Sequence, residues 1–194
     1  AKKDEVDKRV VRTRMDTAKK ELINTIYHLD PSVNFTIIFY SSGANLWKDA
    51  LVPATAENKK SAIEEIDKMS PTGGTSTYDA LELAYKLSEQ KSGKQKVVQV
   101  NKKGDYITET GGADTIFLAS DGAPTSGKII ERSAILNEIK KIHVTRKIKI
   151  NTIAVGGPDD PSVSAEVNAR NKPDVRFLTD LAEITGGACV DTTR

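Results

Sequence analysis

The sequence TGGTSTYDAL at residues 72–81 places two glycines and three hydroxyl side chains directly before a predicted helix. Gly73 and Gly74 allow a tight turn or a close approach to a ligand. The hydroxyl side chains occupy the position where a helix N-terminus presents free N–H groups. They are Thr75, Ser76 and Thr77. The position suits an anion or a hard cation held by oxygen atoms, and the alternative is an ordinary loop with a capped helix.

A second segment, TIFLAS at Thr115–Ser120, is apolar and of strand length, and Asp121 and Gly122 follow it. A carboxylate at the end of a buried parallel strand lies at the carboxyl edge of the sheet, where α/β folds place their ligands. Together with Thr75, Asp121 would form a site of oxygen atoms alone. Such a site suits Mg²⁺ or Mn²⁺ better than zinc.

The segments GGTSTYDAL (73–81) and TIFLASDGAPTSG (115–127) resemble a von Willebrand factor type A (VWA) domain of the kind found in bacterial secreted proteins. The resemblance covers nearly the whole chain. It implies a metal-ion-dependent adhesion site (MIDAS) built from three loops, in which Thr75 and Asp121 are metal ligands. Four residues would shape the surrounding loops: Gly74, Ser76, Thr77 and Gly122.

The resemblance also implies what binds at this site. The cation would be Mg²⁺, with Mn²⁺ or Ca²⁺ as alternatives, and it would keep one coordination position open. A protein partner would fill that position with an Asp or Glu carboxylate. The family further implies a secreted, periplasmic or cell-surface location.

One element of the VWA pattern is missing from its expected place in the sequence. The family's first loop, Asp-x-Ser-x-Ser, follows a central first strand, and no such motif precedes the helix predicted at residues 15–29. Loss of a central strand is costly, because each buried unpaired backbone group costs about 1–3 kcal/mol against a net stability of about 5–15 kcal/mol. We therefore expect a separate peptide, cleaved near Ala1, or another subunit to supply this strand. A truncated sequence is the alternative.

Helical and strand patterns alternate along the chain, which predicts an α/β fold with a doubly wound, Rossmann-like and mostly parallel sheet covered by helices on both faces. We expect one VWA-like domain over residues 1–194, with a hairpin insertion at residues 89–113. Thr13 and Thr55 are predicted N-caps of helices at residues 15–29 and 56–69. Strands are predicted at residues 34–40, 46–51, 115–120, 149–155 and 188–190.

Composition excludes several classes of protein. The net charge of +2, from 29 basic and 27 acidic residues, gives no basis for nucleic-acid binding. No apolar segment approaches the length of a membrane span. Cys189 is the only cysteine, so no internal disulfide can form.

Enzymatic activity is not expected. The sequence has no Gly-x-Gly-x-x-Gly after a strand and no Walker-type Gly-Lys-Ser/Thr. Its two histidines, His28 and His143, both lie on predicted helices, and neither forms a plausible Ser–His or Cys–His pair. A metal-dependent binding domain is therefore the leading hypothesis. A metal-independent scaffold in a larger secreted or cell-surface protein is the alternative.

Overall fold

The computed structural model describes residues 13–70, 73–89, 97–100, 106–108, 113–156, 164–166 and 172–192. The helices of ten or more residues are α1 (Arg14–Tyr27), α2 (Ala56–Asp67), α3 (Thr77–Glu89), α4 (Arg132–Thr145) and α5 (Val175–Ile184). The strands are β1 (Asn34–Phe35), β2 (Ile38–Tyr40), β3 (Ala44–Leu46), β4 (Val52–Pro53), β5 (Val97–Val100), β6 (Tyr106–Thr108), β7 (Thr115–Ser120), β8 (Lys149–Ala154) and β9 (Cys189–Asp191).

The first two helices begin at the predicted caps. The Thr13 hydroxyl accepts a hydrogen bond from the Asp16 N–H, and the Asp16 carboxylate accepts one from the Thr13 N–H, which is a complete capping box. The Thr55 hydroxyl accepts from the Asn58 N–H in the same way at α2. Local sequence therefore fixes where both helices start.

A parallel sheet of β7, β8 and β9 forms the larger half of the fold. Thr115 to Ser120 pair in register with Lys149 to Ala154, and Thr152 pairs with Cys189. One face of this sheet packs on the apolar faces of α3, α4 and α5. The largest buried residues of this core cluster include Leu81, Tyr85, Ile135, Ile139, Ile150, Leu178 and Leu181. The predicted parallel α/β architecture is confirmed.

The predicted single strand at residues 34–40 is wrong, because the structure divides it into β1 and β2. β1 pairs antiparallel with β4, and β2 pairs antiparallel with β3. Only residues 36–37 lie between β1 and β2, whereas residues 47–51 lie between β3 and β4, so the ladder cannot remain in register. The predicted strand at 46–51 is wrong for the same reason. Trp47, which follows β3, instead stacks on Phe35, with ring centroids 5.5 Å apart.

The segments KVVQV and YITET contain β5 and β6, which pair antiparallel. This is the pairing predicted for a hairpin. The predicted turn between them, residues 101–104, lies outside the described residues.

One edge of β7 has no strand partner among the residues that the structure describes. The Lys149 N–H donates to the Asp114 carbonyl, and the Val155 N–H donates to the Ser120 carbonyl. Because backbone groups alternate in direction along a strand, those of Thr115, Phe117 and Ala119 face away from β8. Phe117 is 51% exposed. In the described structure, the edge of β7 that faces away from β8 is therefore open to a further strand, apart from the Ala119 carbonyl, which accepts a hydrogen bond from the Tyr40 hydroxyl.

Gly187 joins α5 to β9 at a point where only glycine fits. Its N–H donates to the Ala182 carbonyl at 2.9 Å, and a Cβ added to it would overlap the carbonyl oxygen of Ile150. We expect Gly187→Ala to lower the free energy of unfolding by about 1–3 kcal/mol or more, as overpacking against backbone does. Urea denaturation measures it. Gly43→Ala is the control, because no atom lies within 4 Å of its added Cβ, and equal losses in both variants would contradict the packing argument.

Candidate functional site

Three loops meet at the carboxyl ends of β2 and β7. The Ser41 carbonyl, directly after β2, accepts hydrogen bonds from the Ser76 N–H at 2.7 Å and from the Ser126 hydroxyl at 3.2 Å. The three residues belong to separate loops, which are residues 41–43, 73–76 and 121–127. One backbone oxygen therefore connects both predicted site loops to the end of β2.

Thr75 is held by direct pairing with the loop after β7. Its N–H donates to the Thr125 hydroxyl at 2.9 Å, and its carbonyl accepts from the Thr125 N–H at 3.0 Å. The side chain of Thr75 is half-buried. The structure thus brings Thr75 against the loop that follows β7, which begins at Asp121.

The two glycines of the TGGTSTYDAL segment lie where the loops come closest. A Cβ on Gly74 would lie 2.6 Å from the Ser126 hydroxyl oxygen, and one on Gly73 would lie 2.5 Å from that of Ser42. Gly73 also has a φ of +71°, a conformation that favours glycine. The Gly74 N–H donates to the Ser42 hydroxyl at 3.0 Å. The glycines permit the close approach of the loops.

Ser76 and Thr77 are fully buried at the start of α3. Within the described structure, neither hydroxyl oxygen has a hydrogen-bond partner. A buried hydroxyl without a partner costs about 1–3 kcal/mol, and an additional ligand or chain segment is one way to remove that cost. These side chains therefore lie beneath the loop surface.

Asp121 lies on the exposed rim of the same edge and contacts Arg14. The Arg14 Nη1 is 3.3 Å from the Asp121 Oδ2 and donates to the Asp121 backbone carbonyl, also at 3.3 Å. These residues are 107 positions apart in the sequence. No sequence pattern indicates this contact, and the sequence-based reasoning missed Arg14. Next to Asp121, the Ser120 hydroxyl donates to the carbonyl of half-buried Gly122 at 3.0 Å, which orders the start of the loop.

Tyr40 crosses from β2 to β7 beneath Asp121. Its hydroxyl donates to the Ala119 carbonyl at 2.8 Å, on the open edge of β7. Burial raises the pKa of Tyr40 from 10.0 to about 12, a hydrogen bond with Ser120 opposes this, and the Asp121 carboxylate raises it further. The phenol is therefore a neutral donor at physiological pH.

Asp79 supports the site from the first turn of α3. Its Oδ1 accepts from the Lys128 N–H at 3.0 Å, and a Cβ on Gly127 would lie 2.9 Å from its Oδ2. The Lys128 ammonium contacts Glu82, and the hydrogen bonds from Lys128 and Lys86 lower the pKa of Glu82. Asp79 thus holds the end of the loop after β7 in place.

The oxygen atoms at this edge belong to hydroxyl and carboxylate groups, which are the ligand types that a hard cation prefers. The number of negative charges among them is low for a divalent cation. The described residues contain no group of three or more His, Cys, Asp or Glu side chains that could hold a metal ion. Asp121 contributes a single negative charge, which Arg14 already faces. Thr75 and Asp121 would need further ligands for a complete site.

Sequence comparison identifies the family. The sequence profile of the von Willebrand factor type A domain matches residues 5–123, more than half of the 194-residue chain. The chain belongs to the von Willebrand factor type A domain family. The VWA assignment and its α/β Rossmann-like fold, expected from the GGTSTYDAL and TIFLASDG segments, are confirmed.

Two human relatives illustrate the similarity. Inter-alpha-trypsin inhibitor heavy chain H4 is 28% identical over 128 residues, which is 66% of this chain and 12% of the relative. Von Willebrand factor A domain-containing protein 3A is 23% identical over 154 residues, or 79% of this chain and 10% of the relative. The VWA chain thus spans about a tenth of the length of these relatives. Neither carries the name of an enzyme.

Two solved structures share the fold. The von Willebrand factor type A protein of Catenulispora acidiphila has a TM-score of 0.63 at 17% identity, with 93% of this chain and 34% of that chain covered. An aerotolerance-related membrane protein of Bacteroides fragilis has a TM-score of 0.58 at 14% identity, with 92% and 81% covered. In the described part of the present chain, no helix is long and apolar enough to cross a membrane.

Tyr40→Phe tests the link between the two halves of the site. We expect a loss of about 0.5–1.5 kcal/mol in the free energy of unfolding at neutral pH, because the Ala119 carbonyl loses its donor. Since the folded-state pKa is raised, the stability contributed by protonated Tyr40 is complete below pH 10 and is lost as the pH rises towards about 12.

Urea denaturation between pH 8 and 11 would therefore show a steeper fall for the wild type than for Tyr40→Phe. Tyr27→Phe, at an exposed tyrosine, is the matched control and should follow the wild-type profile. Parallel profiles for the wild type and Tyr40→Phe would contradict the assignment.

Proposed function

We propose that this VWA domain binds a protein partner through a divalent cation held at Thr75 and Asp121. VWA domains are typically involved in protein–protein interaction and adhesion. Our proposal adds that this domain binds its partner through a metal ion. Its main support is the pairing of Thr75 with Thr125, which brings the two predicted ligand loops to one edge of the fold. Mg²⁺ is the proposed ion, and Mn²⁺ or Ca²⁺ could take the same oxygen donors.

Each residue has a defined part in this proposal. Thr75 would coordinate through its hydroxyl, and Asp121 would contact the ion directly or through water. Gly74 and Gly122 would permit the loop shape, with Ser76 and Thr77 buried beneath it. The bound ion would supply a positive centre with one open position. An Asp or Glu carboxylate of the partner would fill that position, in a secreted, periplasmic or cell-surface setting.

The open edge of β7 supports a second part of the proposal. A strand supplied by a separate peptide or subunit would lie between β2 and β7 and pair with the backbone groups of Thr115, Phe117 and Ala119, which face away from β8. At Ala119 it would replace the hydrogen bond that the carbonyl accepts from the Tyr40 hydroxyl. A loop following this strand would end beside Asp121 and could provide the further ligands that the site lacks.

A metal-independent scaffold is the alternative function. The contact between Arg14 and Asp121 favours it, because a guanidinium group already faces the only predicted carboxylate ligand. The two functions differ in whether a divalent cation binds.

Titration of the protein with Mn²⁺, followed by electron paramagnetic resonance, tests the cation site. We expect wild-type protein to bind Mn²⁺ with a Kd of roughly 10⁻⁴–10⁻³ M, the range of sites with few charged ligands. Asp121→Asn should abolish this binding and Thr75→Val should weaken it. Asp114→Asn, at the other end of β7, is the matched control. Binding that survives in Asp121→Asn would refute the assignment and favour the scaffold.

A synthetic peptide with five Val or Ile residues followed by Asp-Ala-Ser-Ala-Ser tests strand addition. Its binding should slow amide hydrogen exchange at Phe117, whose N–H faces the open edge, and leave Leu118, which faces β8, unchanged. The control is the same peptide with proline at alternate strand positions, which cannot complete the ladder. Equal effects of both peptides, or no change at Phe117, would rule out a strand between β2 and β7.

A further inference from the structure

We infer that Arg14 is a built-in competitor of the divalent cation at Asp121. The inference rests on the proposed cation site and concerns its regulation. The Arg14 guanidinium contacts both the carboxylate and the backbone carbonyl of Asp121, each at 3.3 Å. These are the two oxygen-bearing groups that Asp121 presents at the rim of the site.

The competition has two physical sources. A guanidinium on the carboxylate occupies a lone pair that a cation would use, and its full positive charge repels a second cation at short range. The Arg14 and Asp121 side chains are 35% and 51% exposed, so water screens their pairing. The pairing between Arg14 and Asp121 that a divalent cation would have to replace is therefore weak.

The position of Arg14 permits its release without unfolding the helix. Arg14 is the first residue of α1, directly after the Thr13 cap. Ile23 and Ile26, further along α1, are buried in the core cluster shared with α2. The helix is thus anchored by its later turns, and only its first residue contacts Asp121. Cation binding would free the guanidinium at the rim, where a partner carboxylate would meet it.

The test compares Mn²⁺ affinity in the full chain with and without this contact. Arg14→Ala should lower the Kd for Mn²⁺ about two- to fivefold, the effect expected from removing an exposed ion pair. Lys128→Ala is the matched control, because it removes a positive charge directly after the same loop. The Lys128 ammonium contacts Glu82. Arg14→Lys, which keeps the charge but not the fork of donors, should give an intermediate affinity.

A second measurement follows the guanidinium itself. In wild-type protein, Mg²⁺ alone should shift the Arg14 Nε–H nuclear magnetic resonance signal over the concentration range of binding. The same signal should not respond to Mg²⁺ in Asp121→Asn.

The outcomes separate the two proposals. If wild type and Arg14→Ala bind Mn²⁺ equally, or Lys128→Ala tightens binding as much as Arg14→Ala, Arg14 does not compete and the cation site stands. If neither wild type nor Arg14→Ala binds Mn²⁺, both the competition and the cation site are overturned. Tighter binding in Arg14→Ala alone supports both.

Discussion

The carbonyl oxygen of Ser41 is the contact on which the arrangement of the site depends. It accepts from the Ser76 N–H and the Ser126 hydroxyl, so the end of β2 is joined to the loop before α3 and to the loop after β7. Thr75 and Thr125 then pair beside it. Because these bonds involve backbone groups of loops that are distant in sequence, they set the loop geometry before any ligand binds. A site held in this way is pre-organised, which lowers the cost of binding.

At this end of the fold, the loops are held together by hydrogen bonds, whereas β7 has a strand partner on only one side among the described residues. β7 is paired with β8 along one side, and on the other side the Tyr40 hydroxyl takes the Ala119 carbonyl. The buried apolar residues form two clusters, one around α3, α4 and α5 and the other around α1 and α2. Asp121 lies between these halves, since it follows β7 and contacts Arg14 of α1. Asp121 is thereby connected to both parts of the domain.

Local patterns predicted the fold well, whereas long-range contacts were beyond them. The Thr13 and Thr55 caps and the apolar strands β7 and β8 follow from neighbouring residues, and the structure has them as predicted. The break between β1 and β2 arises because two residues separate these strands, whereas five residues separate their partners β3 and β4. The composition of residues 34–40 does not show this difference. The Arg14–Asp121 contact joins two residues by tertiary packing alone. The sequence indicated Thr75 and Asp121 as candidate ligands, but it did not indicate that the Arg14 guanidinium lies beside Asp121.

Anomalous X-ray scattering from crystals grown with saturating Mn²⁺ tests the central claim most directly, because it locates the ion without assuming its ligands. We expect an anomalous peak between the Thr75 hydroxyl and the Asp121 carboxylate, with the Arg14 guanidinium displaced from Asp121. A map with no peak at this edge, and with Arg14 still in contact with Asp121, would contradict it.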